Sequence, residues 1–167
     1  MLSSDQGLTR PRYSLVPRSL IFLVRGNRIL LIKGAPEKKL WANLYNGIGG
    51  HIERGEDVLS AAQRELTEET GLFSQDLWLC GIITIDPGGD TGVCLYVFKG
   101  NCSTGDPLPS KEGALEWVTV ADITRLPLVE DLFTILPVVI DAKPSTPPFY
   151  AHYWYAQNGR LMIRMAR

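Results

Sequence analysis

The chain has few cysteines, no long apolar run and no excess of one charge. Its 167 residues include three cysteines, Cys80, Cys94 and Cys102. They make an odd number without a CxxC pair or metal-ligand spacing, so neither a disulfide framework nor a zinc site is expected, and reduced thiols in a cytoplasmic protein are the simplest reading. The longest apolar stretch, Leu20–Val24, is far short of the roughly 18 residues that span a bilayer, so no membrane partner is expected. The opening segment MLSSDQGLTRPRY has no apolar core of a signal peptide. A net charge of −1 gives no basic field to draw the protein onto a nucleic acid polymer. With 45% hydrophobic and 21% charged residues, the composition is that of one ordinary globular domain with a sizeable core.

Charge is segregated along the chain. Residues 1–40 carry a net +6 and residues 51–70 a net −4. An acidic cluster near a basic segment suits a metal–phosphate site, although solvated surface charge reads the same way. Residues 1–16 are polar and expected to be loosely ordered. Leu20–Val24 and Arg28–Lys33 read as a hairpin across Arg25-Gly26-Asn27. Glu56–Thr70 reads as a helix that stops at Gly71. Strands are expected at Leu77–Ile85 and Gly92–Lys99, across the DPGGD turn, and at Leu115–Val120. A second helix, Val129–Ile140, is expected to be interrupted or ended near Pro137. KPSTPP then leads to a hairpin, Phe149–Ala156 and Leu161–Arg164, across Asn158-Gly159. Strands mixed with two helices imply an α/β domain over residues 17–142, its sheet partly antiparallel, with residues 143–167 as connector and hairpin. A hairpin is marginal alone, so it must pack on its own domain or contribute to a homodimer.

The first helix carries the most specific signal. Glu65, Glu68 and Glu69 are spaced i, i+3, i+4 and leave one side of the helix, beside a core stripe of Leu59, Ala62 and Leu66. Three close carboxylates repel unless a hard divalent cation such as Mg²⁺ or Mn²⁺ takes their oxygens. Asn46-Gly47-Ile48-Gly49-Gly50 lets backbone approach a ligand closely, and Arg64 is placed to brace a carboxylate.

Together these residues form Gly50-x5-Glu56-x7-Arg64-Glu65-Leu66-x-Glu68-Glu69-x-Gly71-Leu72, with nine specified positions in 23 residues. The string resembles the signature of the Nudix hydrolases, enzymes that cleave nucleoside diphosphates linked to another moiety with Mg²⁺. The resemblance implies an α/β/α sandwich with a mixed sheet, the motif forming a loop–helix–loop. It implies Glu65 and Glu69 as metal ligands, Glu68 as third ligand or base, the Gly49 carbonyl as a further ligand, Arg64 as orienting group, and Glu56 as a structural support beside Gly50 and Gly71. Lys111-Glu112-Gly113 followed by Glu116-Trp117 is similar to a segment of MutT-type members, in which the glutamate before the tryptophan acts from outside the motif; Glu116 takes that position, one residue shorter. Tyr45–Gly50 is similar to the Trp-Asn-Gly-Phe-Gly-Gly run of enzymes acting on oxidised purine nucleotides. That implies Asn46 as a base reader and Glu130-Asp131 as the acidic pair on the purine edge, although the stacking tryptophan before that pair is replaced near Leu128. Trp41 and Tyr45 are candidates for stacking on a base, and one of Lys33, Lys38 and Lys39 for a distal phosphate. Two alternatives accompany the nucleotide reading: a sugar-nucleotide substrate such as ADP-ribose, suggested by Pro87, and a sensing module without catalysis.

Overall fold

A computed structural model describes residues 12–102 and 104–166. Eight strands and two helices follow the order β1 (Ser14–Arg25), β2 (Arg28–Gly34), β3 (Tyr45–Asn46), α1 (Val58–Thr70), β4 (Trp78–Asp86), β5 (Thr91–Asn101), β6 (Gly113–Thr119), α2 (Leu132–Asp141), β7 (Phe149–Tyr155) and β8 (Leu161–Ala166). All strands join one mixed sheet in the order β3-β2-β1-β5-β4-β7-β8, with β6 paired to β2. The β1–β5 and β4–β7 pairs are parallel; the rest are antiparallel. No helix among the described residues is long and apolar enough to cross a membrane.

The sheet separates two cores. Ile21, Leu23, Leu30 and Ile48 meet Ala62 and Leu66 of α1, all fully buried. Leu20, Phe22, Ile29, Leu31 and Tyr45 meet Leu132, Ile135, Leu136 and Val139 of α2 on the opposite face. Fully burying a side chain of this kind contributes about 1.5–3 kcal/mol, so each helix is held by its apolar stripe. This is the mixed sheet between helices that the sequence implies.

Several boundaries differ from expectation. Residues 1–11 lie outside the described residues, but Ser14–Pro17 are strand, because they pair in parallel with Thr91–Cys94 of β5. The α1 helix begins at Val58, with Asp57 as its cap: Oδ1 accepts from the backbone N–H groups of Leu59 and Ser60, each at 2.9 Å. The buried stripe of α1 is Ala61, Ala62, Leu66 and Thr70, while Leu59 in the first turn is 46% exposed. Gly71 ends the helix at φ 69°. Pro137 does not break α2, which continues to Asp141. The carbonyl left without a partner is that of Phe133, an exposed first-turn residue.

The C-terminal hairpin does not stand apart from the domain. Its first strand runs parallel to β4, from Phe149 opposite Gly81 to Trp154 opposite Asp86. Phe149, Ala151 and Tyr153 are buried in the α2-side core. The hairpin therefore extends the sheet of its own chain, and β8 forms the outer edge. The three cysteines are free and buried.

Candidate active site

The glycine run is stitched to β1. The Ile21 N–H donates to the Ile48 carbonyl at 2.6 Å and the Ser19 N–H to the Gly50 carbonyl at 2.9 Å. The approach is close enough to require glycine at two places. A Cβ on Gly49, whose φ is +149°, would lie 2.2 Å from the Ser19 carbonyl oxygen. A Cβ on Gly50 would lie 2.4 Å from a Glu65 carboxylate oxygen. The backbone of Gly50 thus forms a floor under the Glu65 side chain, joining two parts of the motif fifteen residues apart.

Arg64 organises the acids. Its Nε and Nη2 donate to the two oxygens of Glu56 at 2.7 and 3.0 Å. Its Nη1 donates to Glu65 at 2.8 Å and Glu68 at 3.1 Å, and Nη2 also reaches the His51 carbonyl at 3.1 Å. These bonds raise the guanidinium pKa further, with Glu56 as the largest cause. In turn Arg64 holds Glu56 below the usual carboxylate range, helped by a bond from the Glu53 N–H at 3.0 Å. Glu56 thereby ties the loop before α1 to the helix.

Glu69 differs from its neighbours. It is half-buried, and burial pushes its carboxyl up to about 7. A backbone hydrogen bond from Gly49 opposes the rise, while the charges of Glu65 and Glu112 add to it. Arg64 makes no bond to it. An acid crowded by acids and left out of the guanidinium network is the sort of oxygen donor a hard cation stabilises. Among the described residues no three His, Cys, Asp or Glu side chains form a ready-made cage.

Glu116 departs from expectation. Side chains alternate along β6: Trp117 packs on the α1 side, against which Arg25 stacks at 4.2 Å, and Val118 on the α2 side. Glu116 accordingly faces the α2 side, where its Oε2 accepts from the Tyr45 hydroxyl at 2.8 Å. The acid from outside the motif that acts on Glu69 is Glu112, four residues earlier, which also pairs with Lys38. Glu112 stands in the same short segment of sequence, in the bend that leads into β6 at Gly113 (φ +157°), so it does not follow the alternation of the strand.

Of the remaining candidates, Tyr45 packs on the α2 side, and its strand meets the segment leading into α2. Tyr45 is 6% exposed, too buried to stack on a ligand, whereas Trp41 is 46% exposed. The Tyr45 N–H donates to the Pro127 carbonyl at 2.8 Å, and its carbonyl accepts from Val129 at 3.0 Å. This short parallel contact brings Asn46 beside the segment leading to Glu130 and Asp131. The Asn46 Oδ1 accepts from the Gly47 N–H at 2.8 Å, so one end of the amide is engaged in the turn. Leu128 is buried beside Tyr45 and offers no stacking surface. Glu130 is exposed. Asp131 is largely enclosed, and burial raises its carboxyl above the usual range. The Tyr153 hydroxyl lies next to it, buried and without a hydrogen bond of ordinary geometry, its own pKa raised by burial and by the Asp131 charge. Tyr153 gave no signal in the sequence, because strand pairing alone carries β7 to this position.

Residues 15–139 match the NUDIX domain family. The chain is 29% identical over 126 residues to an oxidized purine nucleoside triphosphate hydrolase of Danio rerio, covering 75% of this chain and 80% of the relative. It is 28% identical over 145 residues to the protein of that name in Mus musculus, covering 86% and 89%. Among solved structures, a MutT protein from Bacillus halodurans superposes with a TM-score of 0.77 at 24% identity, covering 90% of this chain and 97% of that one.

Proposed function

The chain belongs to the NUDIX domain family, and on that footing we propose that this Nudix hydrolase cleaves a phosphoanhydride bond of a nucleoside di- or triphosphate with Mg²⁺ or Mn²⁺ at the acid cluster. For a triphosphate the products are the nucleoside monophosphate and pyrophosphate. The observation that carries the reading is Glu69, a half-buried acid beside Glu65 and Glu112 whose carboxyl is pushed up to about 7 while Arg64 serves the other motif acids. Glu65 and Glu69 are the principal metal ligands in this reading, with Glu68 and the Gly49 carbonyl completing the set. A divalent ion held there supplies neutralisation of phosphate charge and a more acidic bound water.

The chain's own residues supply orientation and proton handling. Arg64 fixes the Glu65 carboxylate over the Gly50 backbone and steadies Glu68. Glu68 is the most exposed of the three, with 61% of its side chain accessible, and is the base that takes a proton from the attacking water. The water oxygen bonds to phosphorus as the in-line bridging P–O bond breaks, and the electron pair leaves on the departing phosphate.

The substrate side is where β3 meets the segment leading into α2. Asn46, Glu130 and Asp131 hold the base, and the exposed Trp41 is the aromatic available to stack. The Asp131 carboxyl oxygens accept hydrogen bonds and the Asn46 amide can donate them, which suits an edge carrying both kinds of group, as an oxidised purine does. The relatives named for oxidised purine nucleoside triphosphates support the same substrate. A second copy of the chain would meet the hairpin at the outer edge of β8, because β7 pairs with β4; light scattering on the full chain tests that pairing, and a monomer mass removes it.

A nucleotide panel with Mg²⁺ tests the assignment. Pyrophosphate release from triphosphates, fastest with oxidised purines, is the expected result. AMP from ADP-ribose would move the substrate to sugar nucleotides, and tight binding without turnover would make the protein a sensor.

A further inference from the structure

Besides Arg64, one cation acts on the acid cluster. Lys38 pairs with Glu112, and both charges reach Glu69, Glu112 raising its pKa and Lys38 lowering it. Arg64 is committed to Glu56, Glu65, Glu68 and the His51 carbonyl. Among the described residues, Glu112 is the one side chain that Lys38 bonds.

The segment carrying Lys38 has a defined course. The Ala35 N–H donates to the Glu112 carbonyl at 3.3 Å, the Lys38 N–H to the Ala35 carbonyl at 3.1 Å, and the Asn43 N–H to the Gly34 carbonyl at 2.9 Å. Trp41 and Asn43 hold φ of 60° and 61°, an uncommon region for residues with a side chain. Gly34 permits this, since a Cβ there would lie 2.4 Å from the Trp41 carbonyl oxygen. The backbone thus keeps the lysine at the Glu112 end of β6.

We propose that Lys38 is the specificity residue for the terminal phosphate, exchanging the Glu112 carboxylate for a phosphate oxygen and so favouring nucleoside triphosphates over diphosphates. The proposal rests on the pyrophosphohydrolase reading above. The exchange is easy because both partners are partly solvated, at 37% and 50% side-chain exposure, and pairs of that kind hold weakly. A phosphate carries more charge than a carboxylate and offers several acceptor oxygens to the ammonium's three donors. Glu112, once released, remains beside Glu69 and adds a carboxylate to the cluster as the substrate arrives.

The test is equilibrium binding of an α,β-methylene nucleoside triphosphate and the matching diphosphate, with Mg²⁺, to the full chain. Lys38→Met is expected to weaken the triphosphate about tenfold and leave the diphosphate within about twofold, and Lys38→Arg to restore most of the difference. Without divalent cation, Glu112→Gln is expected to tighten the triphosphate a few-fold by releasing Lys38. Equal losses for both nucleotides, or no loss, would overturn the role of Lys38 while leaving the hydrolase reading intact. Failure of the wild-type protein to bind either nucleotide would overturn both. An unchanged Glu112→Gln affinity would overturn the exchange.

Discussion

The two faces of the sheet assemble their polar groups in opposite ways. On the α1 side, Glu56, Arg64, Glu65, Glu68 and Glu69 lie within fourteen residues, and the Arg64 guanidinium bonds three of the four acids. On the α2 side, Tyr45, Glu116, Asp131 and Tyr153 come from four separate segments, joined through the Tyr45 contacts and the β4–β7 pairing. A helix presents neighbouring residues at fixed angles, so its chemistry is local. A sheet face is built by pairing between distant segments, so its chemistry depends on register. The first face suits a reaction shared by many substrates, and the second suits discrimination among them. Substitutions on the α1 side should therefore act on turnover, and those on the α2 side on selectivity.

The largest effect is expected at Glu69. Glu69→Gln keeps the shape and removes the charge, and steady-state assays should show kcat lower by about a thousandfold or more if Glu69 is a principal ligand. Stability should change in the other direction. An acid whose pKa rises on folding to about 7 holds its proton better folded than unfolded. Its stabilising contribution is complete below the unfolded pKa, near 4.5, and is lost as pH rises through 7. Metal-free wild type should thus lose about 1–2 kcal/mol across that interval, after solvent screening of this partly exposed group, and Glu69→Gln should not. Melting curves of metal-free protein at pH 4.5 and 8 check this; a wild-type curve no more pH-dependent than the variant's would contradict the assignment of Glu69.

Next comes Arg64. Arg64→Ala leaves Glu56, Glu65 and Glu68 facing one another, and kcat should fall about 10- to 100-fold through misplaced acids. Losing the guanidinium should also lower the melting temperature, because Glu56 and Glu65 lose their shared partner. Arg64→Lys should recover little of either, since an ammonium cannot span Glu56, Glu65 and Glu68 together. Kinetics and thermal melts of both variants provide the check, and full rescue by lysine would show that charge alone, without the forked geometry, is enough.

The same contrast explains what the sequence makes legible. The spacing of the motif acids and Gly71 implied the helix and its stop, which follow from 3.6 residues per turn and from a left-handed cap, while the family was implied by the resemblance of the whole string to a known signature. Leu59 was misjudged because a stripe read by period does not say how far the sheet beneath it extends. The full length of β1 was hidden because Ser14–Pro17 have little strand character and owe their conformation to β5. The hairpin's place beside β4 was equally invisible, since local turn chemistry fixes a hairpin but not its neighbour. The short segment before Trp117 was recognised as relevant, but how its two acids divide was not legible: strand alternation turns Glu116 toward Tyr45, and the bend ahead of β6 carries Glu112 to Lys38.

A smaller, selective effect is expected on the α2 side. Asp131→Asn retains size and hydrogen bonding but fixes the donor and acceptor positions. The kcat/KM for the preferred purine should fall about tenfold, with kcat at saturation within about threefold. A panel of bases measured on both proteins separates the outcomes. A changed ranking supports a base-reading role, whereas a uniform fall in kcat would place Asp131 with the motif acids and undo the division between the faces.

The smallest effect should be at Glu116, and it discriminates best between the two readings of the β6 segment. The Tyr45 hydroxyl donates to this side chain at 2.8 Å, and a glutamine oxygen can accept the same bond. Glu116→Gln should therefore leave kcat and metal dependence within about twofold of wild type, since the hydrogen bond is kept. Glu112→Gln should shift the Mg²⁺ concentration needed for half-maximal rate, because its charge reaches Glu69. Titrating Mg²⁺ against rate in both variants checks the contrast. A hundredfold loss at Glu116 with none at Glu112 would mean that the catalytic acid lies across the sheet from α1, and the separation of turnover from selectivity by sheet face would have to be given up.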